Sequence, residues 1–160
     1  METRQIELSL DTAKRWYEQG GELKDMALGA YSEQELIGDR LPKTWDEYCA
    51  KHGEVGDKIK ASLNTAYTTI NKYTFSDYNQ AQAHIALMKL HLLRDEYRQD
   101  WLPDCEDENQ DKYVILSSKG ERHVAYCQST SRFLSFQDKE RAKEFLTNFR
   151  ELIEQAGDLI

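Results

Sequence analysis

Three scarcities shape the reading of this 160-residue chain. Its three cysteines, Cys49, Cys105 and Cys127, are odd in number, widely spaced and without a C-x-x-C pair. That argues against a disulfide framework and against a cysteine-rich zinc site, so reduced thiols in a cytoplasm are the expectation. Long apolar runs are missing too: nowhere does an uncharged stretch approach the ~20 residues of a membrane span. The opening Met1-Glu2-Thr3-Arg4-Gln5-Ile6-Glu7 has no apolar core region, so neither a signal peptide nor a transmembrane helix is expected. The third scarcity is positive charge. The formal net charge is -8, with 10 basic against 13 acidic side chains up to residue 75 and 11 against 16 beyond it. Neither half has the basic footprint of a phosphate-binding surface, although folding can still gather a local one.

What the chain does contain is a polar, amphipathic composition: 39% hydrophobic, 31% charged, with nine tyrosines. It is long enough to bury a real core as one domain, or as one compact domain carrying a helical subdomain. The first 60 residues read as short helices between stops. Leu10 to Gln19 carries Ala13, Trp16 and Tyr17 at helical spacing behind Ser9 or Asp11, and Gly20-Gly21 ends it. A second helix runs from Glu22 to about Tyr31. Ser32 with Glu35 and Thr44 with Glu47 match the capping box, which starts two more. Gly38 to Pro42 is a connector and Gly53 to Gly56 a breaker. A helix from Asp57 to about Leu63 follows, and Thr65 to Phe75 is compatible with helix, strand or an irregular link.

From Ser76 a long helix is predicted, because Tyr78, Ala81, Ile85, Met88 and Leu92 recur at spacings of three and four with no proline before Pro103. A second stripe, Ala83, Leu87, Leu90, Tyr97 and Trp101, makes this helix central. After a polar acidic loop, Tyr113 to Leu116 reads as a strand. Ser118-Lys119-Gly120 turns the chain, and His123 to Cys127 pairs back. Arg132 to Phe136 adds a third strand. A final helix lays Ala142, Phe145, Leu146, Phe149, Leu152, Ile153 and Ala156 on one face, which should cover the sheet. The expected class is α+β: a helical N-terminal subdomain over 1–75, then a long helix, a three-stranded antiparallel sheet and a covering helix over 76–160.

Chemistry-bearing patterns are weak. His84 and His91 lie seven apart, with Asp95 four beyond, and could serve a metal hydrolase, but a metal site needs further ligands and an ordered outer shell. Packed or hydrogen-bonded histidines are the plainer reading. Asp104, Glu106, Asp107, Glu108 and Asp111 suggest a calcium loop, yet the sixth position holds Asn109 where glycine is needed and the twelfth Ile115 where glutamate is needed. Cys49 with His52, and Cys127 with His123, are neighbours in sequence only, and catalytic pairs are assembled by the fold. Ser129-Thr130-Ser131-Arg132 offers donors to an anion, without the glycine-rich loop or helix start that usually holds one. No catalytic residue, cofactor site or metal site is assigned. Trp16, Tyr17, Trp45 and Tyr48 make the short helices aromatic, and aromatics serve both cores and binding hot spots. Most should pack inward, leaving one or two as an interaction surface; Arg122 and Arg132 are the candidate anion contacts.

The segments Leu8-Ser9-Leu10-Asp11-Thr12-Ala13-Lys14-Arg15-Trp16-Tyr17, Leu41-Pro42-Lys43-Thr44-Trp45, Leu92-Leu93-Arg94-Asp95 with Trp101-Leu102-Pro103-Asp104, and Ser131-Arg132-Phe133-Leu134-Ser135-Phe136 resemble parts of uncharacterised proteins. Those proteins are encoded by bacteriophages, prophages and mobile elements of gut bacteria. The resemblance implies a phage or mobile-element product and carries no activity or site residue with it. The function expected is a non-enzymatic one, contact with another protein of the phage or host. The alternative is a nucleic-acid-associated replication accessory protein using Lys119, Arg122 and Arg132.

Overall fold

The computed structural model describes residues 8–73, 78–104, 106–118, 120–128 and 133–160. The Ser129 to Arg132 anion site, Lys119, Cys105 and the predicted helix start at Ser76 lie outside the described residues. Among the described residues the order is α1 (Leu10–Gln19), α2 (Gly21–Ala30), α3 (Glu33–Ile37), α4 (Trp45–Lys51), α5 (Glu54–Tyr73), α6 (Tyr78–Arg98), β1 (Lys112–Ser118), β2 (Glu121–Cys127), β3 (Ser135–Phe136), α7 (Lys139–Asn148) and α8 (Arg150–Ala156), closed by a 3-10 turn at Gly157–Leu159. The class is α+β, as expected, with antiparallel strands in the order β2-β1-β3. No helix is long and apolar enough to cross a membrane, among the described residues.

Local chemistry sets the helix starts. Ser9 accepts the Thr12 amide, and Asp138 accepts that of Arg141 at 2.7 Å, each satisfying a donor that has no partner inside the helix. Ser32 and Glu35 form the complete reciprocal box. Thr44 and Glu47 form half of one. The Thr44 hydroxyl accepts the Glu47 amide, but the carboxylate of Glu47 reaches one residue further back, to the Lys43 amide at 2.7 Å, and turns its other oxygen to Arg40 at 2.9 Å.

Two boundaries differ from expectation. The breaker at Gly53 to Gly56 is confined to Gly53, with φ +54, and α5 runs unbroken from Glu54 through the stretch left open at Thr65 as far as Tyr73. Gly56 lies inside this helix for a packing reason. A Cβ there would sit 2.0 Å from the carbonyl oxygen of Cys49, so only glycine lets the backbone of α5 approach that of α4. The final helix is two helices. Phe149, at φ -118 and ψ 23, interrupts the run, yet Phe145, Phe149 and Ile153 are all buried. A straight helix would carry Ile153 about 80° around the axis from Phe145 at 3.6 residues per turn. The break returns it to the core.

Two cores result. Ala13, Tyr17, Ala27, Leu36 and Ile37 form a small one within α1 to α3. The larger one joins Tyr48 and Cys49 of α4, the Ala86, Leu90, Leu93 and Tyr97 face of α6, Ile115 and Phe136 of the sheet, and the inner faces of α7 and α8. Packing therefore groups α4 with the C-terminal elements. Val124 and Tyr113 add to the covered sheet face, and Phe145 packs against Tyr97 at 5.1 Å and Phe136 at 4.9 Å between ring centres. The α6 stripe is rotated from the predicted one, since Tyr78 and Met88 are exposed.

Two predictions follow from this packing. Gly56→Ala should destabilise the protein by about 1–3 kcal/mol, because the clash with Cys49 outweighs the helix-propensity gain of about 1 kcal/mol; urea titration reads it, and a rise in stability would contradict the close approach. Tyr97→Phe should cost about 1–3 kcal/mol by leaving the Pro42 carbonyl and the Asn148 amide without their buried partner. A neutral result in the same titration would show that water replaces the hydroxyl.

Candidate functional site

The four aromatic residues singled out from the sequence are placed differently. Tyr17 is core: its hydroxyl donates to Glu33, its ring lies under the Lys24 ammonium, and Arg40 packs at its other contact. Burial and the Glu33 carboxylate hold its pKa well above the ordinary phenol value. Tyr48 is also core, stacked on Trp45 at 5.3 Å and tilted against His52 at 4.4 Å. Trp16 and Trp45 are half-buried, each against a different core, and the Lys89 ammonium lies over the Trp45 ring. The four do not share one surface.

The candidate chemical groups are engaged separately. His84 Nδ1 lies 2.9 Å from the Gln80 carbonyl, His91 packs edge-on against Phe133 at 4.3 Å, and Asp95 accepts both Nε and Nη2 of Arg94. Burial and the neighbouring Arg94 guanidinium hold the His91 pKa below the usual imidazole value, so its ring is neutral at pH 7. Among the described residues no three His, Cys, Asp or Glu side chains are placed to hold a metal ion. His52 pairs with Glu96 at 3.2 Å, not with Cys49, and Glu96 also takes Lys51 at 2.7 Å. The Cys49 thiol is buried, which pushes its pKa up, the opposite of what a nucleophile needs. Cys127 is half-buried on an edge strand, and His123 stands four residues away along it, about 13 Å at strand rise.

The acidic loop is bound up with its own backbone. Asp104 accepts the Glu106 amide and Asp107 that of Asn109, while Gln110 ties both sides of the loop to Leu102 and Asp104. Its organising cation is a lysine. Lys112 is fully buried and donates all three ammonium protons to carbonyls, of Asp107 at 2.8 Å, Gln128 at 3.0 Å and Gln110 at 3.1 Å. Arg98 is buried in the same way, donating to the Ser135 carbonyl and hydroxyl and to the Phe133 carbonyl. Burial, with Arg94 nearby, pushes its pKa down to about 10, so it stays charged at neutral pH. Arg122 donates to the Gly157 carbonyl at 2.7 Å, which ties the last turn to the sheet.

One surface feature among the described residues was not legible from sequence motifs. A cleft of about 480 Å³ opens between α5 and α6, lined by Val55, Lys58, Ile59, Ser62, Leu63, Met88, His91 and Leu92. Its α5 wall follows i, i+4, i+7, i+8 spacing from Val55, a helical signal hidden by placing a breaker at Gly56. Its α6 wall holds Met88, which the predicted stripe put inside. A second cleft, of about 440 Å³, lies between Thr44–Trp45 and the α7–α8 junction, and its lining mixes Phe149 and Leu152 with Asn148, Arg150 and Glu151.

Fold and surface together define an α+β protein with an apolar interhelical cleft. No family model, curated protein or solved structure matches the chain.

The placement of Cys49 carries a direct test. It should resist alkylation in the native protein at pH 8 and become reactive only as denaturant unfolds the core, since both its burial and its raised pKa suppress the thiolate. Peptide mapping after timed iodoacetamide labelling measures this, and rapid native modification of Cys49 would contradict the packing of α4.

Proposed function

We propose that the protein is a non-enzymatic interaction protein of a phage or mobile element, and that it binds a helical segment of another protein in the α5–α6 cleft. One observation carries the reading: Val55 and Met88, 60% and 47% exposed, line the same cleft from opposite walls. Single exposed apolar residues need no explanation, but large ones converging on one apolar groove favour a binding site. A groove walled by two helices suits a third, whose residues at i, i+3, i+4 and i+7 can anchor along it. The α5 wall from Val55 to Leu63 extends about 12 Å at helical rise, room for about two turns of such a ligand.

Lys58 is the one charged side chain among the lining residues named, so orientation would come from apolar anchors more than from charge. The mobile-element setting rests on the resemblance of the four sequence segments. Nucleic-acid association is less well supported, because Arg122 is engaged by Gly157 and the net charge is -8.

The test uses the full chain as bait, followed by titration of the captured partner or its helical peptide. Val55→Lys with Met88→Lys should leave the fold intact and weaken binding at least about 30-fold, the sum of two anchors worth about 1 kcal/mol or more each. Equal affinity of the double variant and the parent would sink the assignment of this cleft.

A further inference from the structure

The sheet order β2-β1-β3 leaves one long side of β2 unpaired among the described residues. Which groups point that way follows from the ladder. Ile115 donates its amide to the Leu134 carbonyl at 2.9 Å, on the β3 side of β1. Its cross-strand pair with Val124 is therefore a non-hydrogen-bonded one, and the amide and carbonyl of Val124 point away from β1. The same alternation turns out those of Arg122 and Tyr126. Three donors and three acceptors thus line the outer edge, centred on Val124, and no described backbone hydrogen bond to another segment reaches them.

Natural edges are usually blunted by proline, a bulge or a row of charges. β2 contains no proline, pairs with β1 in continuous register over all seven residues, and sets Glu121 beside Arg122 at one end only. Exposed apolar side chains occur on the strand and in the turn fastened to it. Tyr126 is 51% exposed on the strand, and Leu159 is 41% exposed in the 3-10 turn that Arg122 fastens through Gly157.

We propose that two copies of this protein pair antiparallel through β2, about a two-fold axis at Val124, to make one six-stranded sheet. In this register Val124 lies opposite its own copy and Arg122 opposite the partner's Tyr126, so every outward donor of one strand meets an outward acceptor of the other. Six backbone hydrogen bonds form. On one face each guanidinium lies beside a phenol ring, a favourable cation–aromatic neighbour, and on the other Glu121 meets Cys127 and His123 meets Ala125. No like charges are opposed. An axis at Arg122 would set the two guanidiniums against each other, one at His123 would oppose the imidazoles, and both leave Tyr126 without a strand partner. Only the axis at Val124 gives all seven residues of β2 a partner within the strand.

Sedimentation of the full chain across a concentration series should show the mass doubling, and amide exchange should show Arg122, Val124 and Tyr126 becoming protected as concentration rises while His123 and Ala125, already in the β1 ladder, do not change. Tyr126→Arg, which opposes two cations at each end of the interface, should raise the dimer Kd at least 10-fold, and adding Arg122→Glu should restore pairing. Val124→Pro removes the central outward amide without touching the β1 ladder and should give a monomer. A monomer at about 0.5 mM, where even millimolar affinity would be visible, overturns the proposal, as does a dimer whose three outward amides exchange independently of concentration. A dimer insensitive to a folded Tyr126→Arg variant overturns it as well.

Discussion

The fold depends on one buried tyrosine. Tyr97 has no exposed surface, and its hydroxyl is satisfied on both sides, donating to the Pro42 carbonyl and accepting from the Asn148 side chain, each at 3.0 Å. Its ring meets Phe145 and Phe149 edge-on, and its own carbonyl accepts from Arg141. One side chain at the end of α6 thereby fixes the approach to α4, the break between α7 and α8, and the start of α7. Burial pushes its pKa up to about 12, so the neutral donor persists over the whole physiological range. A buried hydroxyl with both partners in place specifies geometry more sharply than apolar contact, because a displaced partner leaves a desolvated polar group behind.

Around that point, two cations are held by backbone dipoles instead of carboxylates. Arg98 gathers the Phe133 and Ser135 carbonyls and so fixes a β3 of only two residues, too short to be held by its ladder alone. Lys112 gathers three carbonyls and gives the acidic loop its shape from the inside. Charges in such sites have no opposite charge to be screened from, so salt acts on them less than on an exposed ion pair. Exposed pairs such as Lys58 with Glu54 contribute little by comparison.

The class, the order of elements and most helix starts were legible in the sequence, because caps and apolar periodicity are local signals. Ser32 with Glu35, Gly20-Gly21 and the Tyr113 to Cys127 hairpin are read from neighbours alone. What failed was set by distant partners. Gly56 looks like a breaker until the Cys49 carbonyl is placed against it, and Phe149 looks like mid-helix until the core on both sides is known. Met88 has the right spacing for a core position and still faces outward, since two apolar stripes compete on α6 and tertiary packing chooses between them. The α5–α6 cleft was illegible for the same reason: it is a relation between two helices, with no motif in either.

The glycine contact between α4 and α5 has a bearing on that cleft. Because main chain rests on main chain at Gly56 and Cys49, the end of the wall bearing Val55 and Ile59 is positioned by backbone contact, whereas Leu63 further along it is itself buried. At that end alone, scaffold and lining are decoupled. Val55 and Ile59 can therefore be exchanged for other side chains while the α4–α5 contact that sets this end of the groove stays in place.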